Sequence, residues 1–167
     1  MEWYTLLKFT HILGTVLGVG ATTLTEIFSI KFKKDGELSP TEHQILQTCY
    51  SVIRWGLALL VFSGFGYLIL WRLNMAGPDF FFNSRFLAKL TVVGILLFVT
   101  LLMNLKMIKM ELGSAIATTA WYMAMFLGIW RSLQWSYPTF IAFYVLALIA
   151  VYFLLDYFRK RPARKRA

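Results

Sequence analysis

Apolar residues in this chain run in five long blocks, and charged positions gather in the short stretches between them. The first block extends from about Trp3 to Ile30, with Lys8, His11 and Glu26 inside it and Lys31, Lys33 and Lys34 directly after it. A cleavable signal peptide carries its positive charge before the apolar stretch, so the reversed order reads as a retained span. The second block is cleanest from Trp55 to Trp71, with an indole at each end where amphipathic rings favour the interface. The third, Leu90 to Met103, is short unless Phe86 to Lys89 and Asn104 to Lys106 complete it, with the lysine stems snorkelling. The fourth runs from about Ser114 to Ile129 and the fifth from Pro138 to Tyr157, where Pro138 suits the first turn of a helix. Ahead of the second block, Ser39, Pro40 and Glu42 make an S-x-x-E capping signal. Ile45, Leu46, Cys49, Val52 and Ile53 then recur at helical spacing, so that span is expected to begin as an amphipathic cytoplasmic extension.

The pattern predicts an all-α, polytopic helical bundle of five transmembrane helices over residues 1–158, with a basic cytoplasmic tail at 159–167. Composition agrees. The chain has 167 residues, 59% hydrophobic and 15% charged, against about 45–50% and about 25% in a soluble domain. Five spans of about 20 residues use most of that length and leave no room for a second, soluble domain. Cys49 is the one cysteine, which excludes an internal disulfide and a CxxC pair.

A net charge of +9 would invite a nucleic-acid reading if it were spread over a surface. Six of the 17 basic residues lie in the last nine positions, however, and the other 158 residues carry only +3. The excess is a tail, and nucleic acid is not expected as a partner. Placing that tail inside also puts Lys31, Lys33, Lys34, Lys106 and Lys109 inside, eleven basic residues in all, and leaves Arg72, Arg85 and Arg131 outside. The positive-inside rule therefore favours N-terminus out and C-terminus in.

Ionisable groups within spans are costly and mark candidate sites. His11 shares a helix face with Gly14, Thr15, Gly18, Thr22, Thr25 and Glu26, all within about 60°. Gly14 and Gly18 let either another backbone or a flat cofactor approach closely. Lys89 sits with Val92, Val93, Leu96, Thr100, Met103 and Asn104 on one face of the third span, near its outer end. His11 and Lys89 could meet across a shared cavity, an arrangement suited to metal ligation or proton transfer. Glu26 and Arg54, both near the cytoplasmic end, are expected to pair as a salt bridge. His43 lies most of a bilayer from His11 and cannot share an ion or a haem with it. Met103, Met107 and Met110, at i, i+4 and i+7, would suit Cu(I), although methionine stripes in apolar helices mostly pack.

The segment Phe9-Thr10-His11-Ile12-Leu13-Gly14 with its Gly-rich continuation, Phe86-Leu87-Ala88-Lys89-Leu90, and the later Asn104 resemble a superfamily of small bacterial membrane proteins. It includes the copper-resistance D proteins and the J-type protoporphyrinogen oxidases. The resemblance covers spans one to three. It implies a bacterial inner-membrane bundle that binds a b-type haem or porphyrin, with the histidine and lysine at the positions of His11 and Lys89 essential to the oxidase reaction. The chain departs from the oxidase pattern at Val16-Leu17-Gly18-Val19, where a Trp is typical, and at Leu87, where a His is typical. What carries over is a cofactor-sized polar site: His11 and Lys89 as catalytic candidates, His11, Gly14, Gly18, Lys89 and Asn104 as cofactor-binding candidates, and His11 as metal ligand.

Three functional classes follow. The first is a haem- or porphyrin-interacting redox protein of the inner membrane. The second is copper or small-solute handling without catalysis. The third is a non-catalytic subunit whose small-residue stripes, including Ala120, Ala124 and Gly128, pack against a second copy or another membrane protein.

Overall fold

The computed structural model describes residues 2–33, 38–73, 83–130, 132 and 134–160. The elements found there are all helices: α1 (Glu2–Lys33), α2 (Pro40–Arg72), α3 (Ser84–Asn104), α4 (Met110–Ile129) and α5 (Tyr137–Lys160). Each is long and apolar enough to cross a membrane, the make-up of a multi-pass membrane protein. Arg159 and Lys160 end α5, whereas Arg161, Arg164, Lys165 and Arg166, like Lys34 and Arg131, lie outside the described residues.

Local signals explain where the helices start and stop. Ser39 and Glu42 close the expected capping box: the Ser39 side chain accepts from the Glu42 N–H, and the Glu42 carboxylate accepts from the Ser39 N–H at 2.9 Å. The amphipathic extension and the apolar block behind it form one helix of 33 residues. Removing the Ser39 hydroxyl (Ser39→Ala) is expected to cost about 1 kcal/mol, read as a lowered midpoint in thermal unfolding of the detergent-extracted protein. Helix α3 begins at an Asn83 cap, whose side chain accepts from the Arg85 N–H at 3.1 Å. It ends in a Schellman turn, with the Met107 N–H on the Leu102 carbonyl at 2.9 Å and the Lys106 N–H on that of Met103 at 3.1 Å. Lys106 takes the left-handed conformation there (φ 57°), a position that usually belongs to glycine. This turn corrects the reading of Met103, Met107 and Met110 as one helical stripe. Met103 lies in α3, Met107 in the turn and Met110 at the start of α4.

The helices alternate in direction. At one end of the bundle the start of α1 meets the end of α2, through Tyr4 and Tyr67 and through His11 and Ser63. The start of α3 meets the end of α4 and the start of α5 there as well, as Arg85 donates to the Trp130 carbonyl and Thr91 bonds Tyr137. The opposite end gathers the end of α1, the start of α4 and the end of α5 around Glu26, Ser114 and Arg159. Helices α1 and α2 form a tightly packed hairpin, and α4 is the hub, touching α1, α3 and α5. Ala88, Val92 and Leu96 of α3, Ala120, Trp121 and Leu127 of α4, and Phe140 and Tyr144 of α5 make the interior with Leu57 and Leu60 of α2. Large apolar side chains such as Phe9, Val16, Phe62, Phe98 and Leu146 point outward, as helices solvated by acyl chains require.

Lipid tails are as apolar as leucine, so helices associate in a bilayer through close packing rather than hydrophobic burial. The α1–α2 seam is of that kind. A Cβ added to Gly14 would lie 2.8 Å from both the Gly56 carbonyl oxygen and the Leu60 nitrogen, and one added to Gly56 would lie 2.8 Å from the Gly18 nitrogen. On the other side of Gly18 lies the indole of Trp121, a fully buried side chain that any Cβ there would strike.

Candidate functional site

His11 stands on α1 one turn before Gly14, and the glycine seam holds α2 close enough for the imidazole to reach Ser63. The distance from Nδ1 to the Ser63 oxygen is 2.9 Å. Ser63 has a single proton. With that proton on a backbone carbonyl, Leu59 at 2.7 Å or Leu60 at 3.0 Å, the serine oxygen accepts from His11 Nδ1–H. This network assigns the Nδ1–H tautomer and leaves Nε2 with its lone pair, the form in which imidazole ligates metal or takes up a proton. Tyr67 packs edge-on against the ring, centroids 5.8 Å apart, and fixes its plane.

Lys89, on the second turn of α3, comes within electrostatic reach of His11, and its Nζ would lie 3.9 Å from a Cβ built on Gly128 of α4. The tertiary structure thus brings the histidine of the first span and the lysine of the third toward one end of the bundle. The other candidates fall elsewhere. Gly14 and Gly18 face Gly56, Leu60 and Trp121, so the fold uses them for the close approach of protein rather than of a flat ligand. Asn104, the last residue of α3, belongs to the opposite end, where it lines a cavity of about 420 Å³.

Glu26 also lines that cavity, but Arg54 is not its partner, which corrects the expected salt bridge. Arg159, from the last turn of α5, donates to the Glu26 carboxylate at 2.8 Å and to Ser114 at 2.7 Å. Thr118 approaches the other carboxylate oxygen at 3.5 Å. Arg159 stands in the same basic run as the tail, and sequence pattern gave no reason to separate it from its neighbours. His43 is exposed on the first turns of α2, with its Nε2 3.0 Å from Gln47. Among the described residues no three His, Cys, Asp or Glu side chains converge as a metal-binding group. Ala120 and Ala124 of the α4 stripe are buried within the chain. No family model matches the chain, and neither a curated protein nor a solved structure does.

Proposed function

We propose that the protein is a redox-type membrane protein that handles haem or a related porphyrin through His11 and Lys89. The observation that supports this reading is the imidazole of His11, tethered at Nδ1 and presenting a lone pair at Nε2 at the end of the bundle to which Lys89 also belongs. Such a nitrogen would suit ligation of a porphyrin-bound iron, and the ammonium would suit a propionate. The bound group would supply one-electron chemistry. The protein's own part is to hold the imidazole in one tautomer through Ser63 and to offset the acidic edge of the ring through Lys89. An oxidoreductase acting on a porphyrin-type substrate is the corresponding enzyme reading.

The orientation that goes with it is N-terminus outside and C-terminus inside a bacterial cytoplasmic membrane. Lys31, Lys106, Lys109, Arg159 and Lys160 belong to one end of the bundle and Arg72 and Arg85 to the other, the asymmetry that the positive-inside rule reads. A partner-subunit role gains less support, because Gly14, Gly18, Ala120 and Ala124 are already buried within the chain.

The test is an absorption spectrum of the membrane-extracted protein, with and without reductant and after adding haem. A Soret band is expected that disappears in His11→Ala. Ser63→Ala leaves the ligand in place but unties it, and is expected to weaken haem uptake about 10-fold, the usual cost of losing the group that orients a ligating histidine. A colourless preparation that takes up no added haem overturns the proposal.

A further inference from the structure

We propose that the cavity at the Asn104 end of the bundle binds an amphiphile drawn from the bilayer, with an anionic head group on an acyl chain. The site does not depend on His11 or Lys89. Its walls come from α1, α2, α3 and α4 with Arg159 of α5, and its volume is about 420 Å³, suited to a head group and the first part of a chain.

Thr22 and Trp121 are among the residues lining this cavity, and each carries a buried polar atom without a hydrogen-bond partner, the hydroxyl and the indole nitrogen. Thr22 is 4% exposed and Trp121 is 0% exposed, so water outside the bundle does not serve them. Buried polar groups are normally paired, and an indole N–H is a donor only, so its missing partner is an acceptor. Arg54 lines the same cavity and has no carboxylate partner among the described residues. It lies two residues before Gly56, which packs on Gly18, and Gly18 in turn faces Trp121. Thr22 is one turn further along α1. Arg54, which is exposed, Trp121 and Thr22 therefore belong to neighbouring layers of the bundle and line one cavity. Of the carboxylates facing it, Glu26 is held by Arg159, and Glu111 stands on the exposed first turn of α4. The complement is an anion with several acceptor oxygens, a carboxylate or a phosphate.

The route into the cavity points to lipid as the source. Helix α2 packs mainly on α1 and helix α3 on α4 and α5; among the described residues α2 and α3, which both line the cavity, share at most a slight contact. In a membrane the seam between them meets acyl chains. A head group entering there reaches the donors while its chain stays among lipids, against apolar wall residues such as Ile53 and Met103.

The full-length protein, purified in an uncharged detergent, is titrated with cis-parinaric acid, a fluorescent long-chain carboxylate. Saturable binding is expected, displaced by oleate or by oleoyl lysophosphatidate but not by methyl oleate; the stronger of the two competitors identifies the head group. Arg54→Gln and Thr22→Val are each expected to weaken binding about 10-fold, the scale of one hydrogen bond to a charged group. Trp121→Phe, which removes the N–H and keeps an aromatic ring, should do the same. Arg54→Gln and Thr22→Val keep the test decisive if the Trp121 variant fails to fold. Absence of saturable binding, equal displacement by methyl oleate, or wild-type affinity in both Arg54→Gln and Thr22→Val overturns the proposal.

Discussion

Gly56→Leu is expected to yield no monodisperse folded protein after detergent extraction, and Gly56→Ala to lower stability by about 1–3 kcal/mol, the usual range for overpacking. The reason is what stands opposite. An added Cβ meets the Gly18 nitrogen at 2.8 Å and the Gly14 carbonyl oxygen at 2.9 Å. Both are backbone atoms of a helix, which cannot swing aside as the end of a side chain can. Separating α1 from α2 to make room would also break the His11–Ser63 contact and shift Gly18 against Trp121. Gly20→Leu and Gly64→Leu are the controls, because a Cβ at either has open space around it. They are expected to melt at or above the wild-type temperature, since glycine is the poorer helix former. Size-exclusion profiles and thermal melts followed by near-ultraviolet circular dichroism separate the two sets. A Gly56→Leu protein that elutes and melts like wild type would show that the hairpin does not close as described.

Breaking the Glu26–Arg159 pair is the second large effect. The side chains are 9% and 13% exposed, and the bond at 2.8 Å ties the last turn of α5 to α1. Removing one member of such a pair leaves a charge without its partner, at a cost of about 3–5 kcal/mol, whereas removing both costs less. Glu26→Gln and Arg159→Gln are each expected to lower the melting temperature strongly, and the double variant to recover part of the loss. Arg54→Gln is expected to change stability by no more than about 0.5 kcal/mol. The reverse order, with Arg54→Gln destabilising and Arg159→Gln silent, would restore the pairing suggested by the chain's pattern and refute the one described.

These two experiments concern what the linear pattern left open. Gly14 and Gly18 are visible in the chain as a place where something approaches closely. Whether that is a helix or a flat ligand depends on where Gly56 and Trp121 arrive, forty and more positions away. Glu26 invites a basic partner near the end of its span, and Arg54 and the terminal run both offer one. The choice follows from the return of α5 to the end of α1, a matter of helix arrangement rather than of spacing. The methionine stripe failed for a local reason. Lys106 adopts a left-handed turn that glycine would have announced, so the break between Met103 and the two later methionines carried no local signal.

The sequence by itself determined the solvent of this protein, the number of its spans and nearly all of their limits. Those properties follow from apolar length and from caps such as Ser39 and Glu42, which act over a few residues. It also singled out His11 and Lys89, because an ionisable group inside an apolar block stands out wherever the block goes. Tertiary structure alone decided that Ser63 contacts the His11 ring, that Arg159 holds Glu26, and that Trp121 and Thr22 each bury a polar atom without a partner. Each of these rests on contacts between helices. In a bilayer such contacts are selected by the fit of small residues and buried hydrogen bonds, which a one-dimensional hydropathy pattern does not encode.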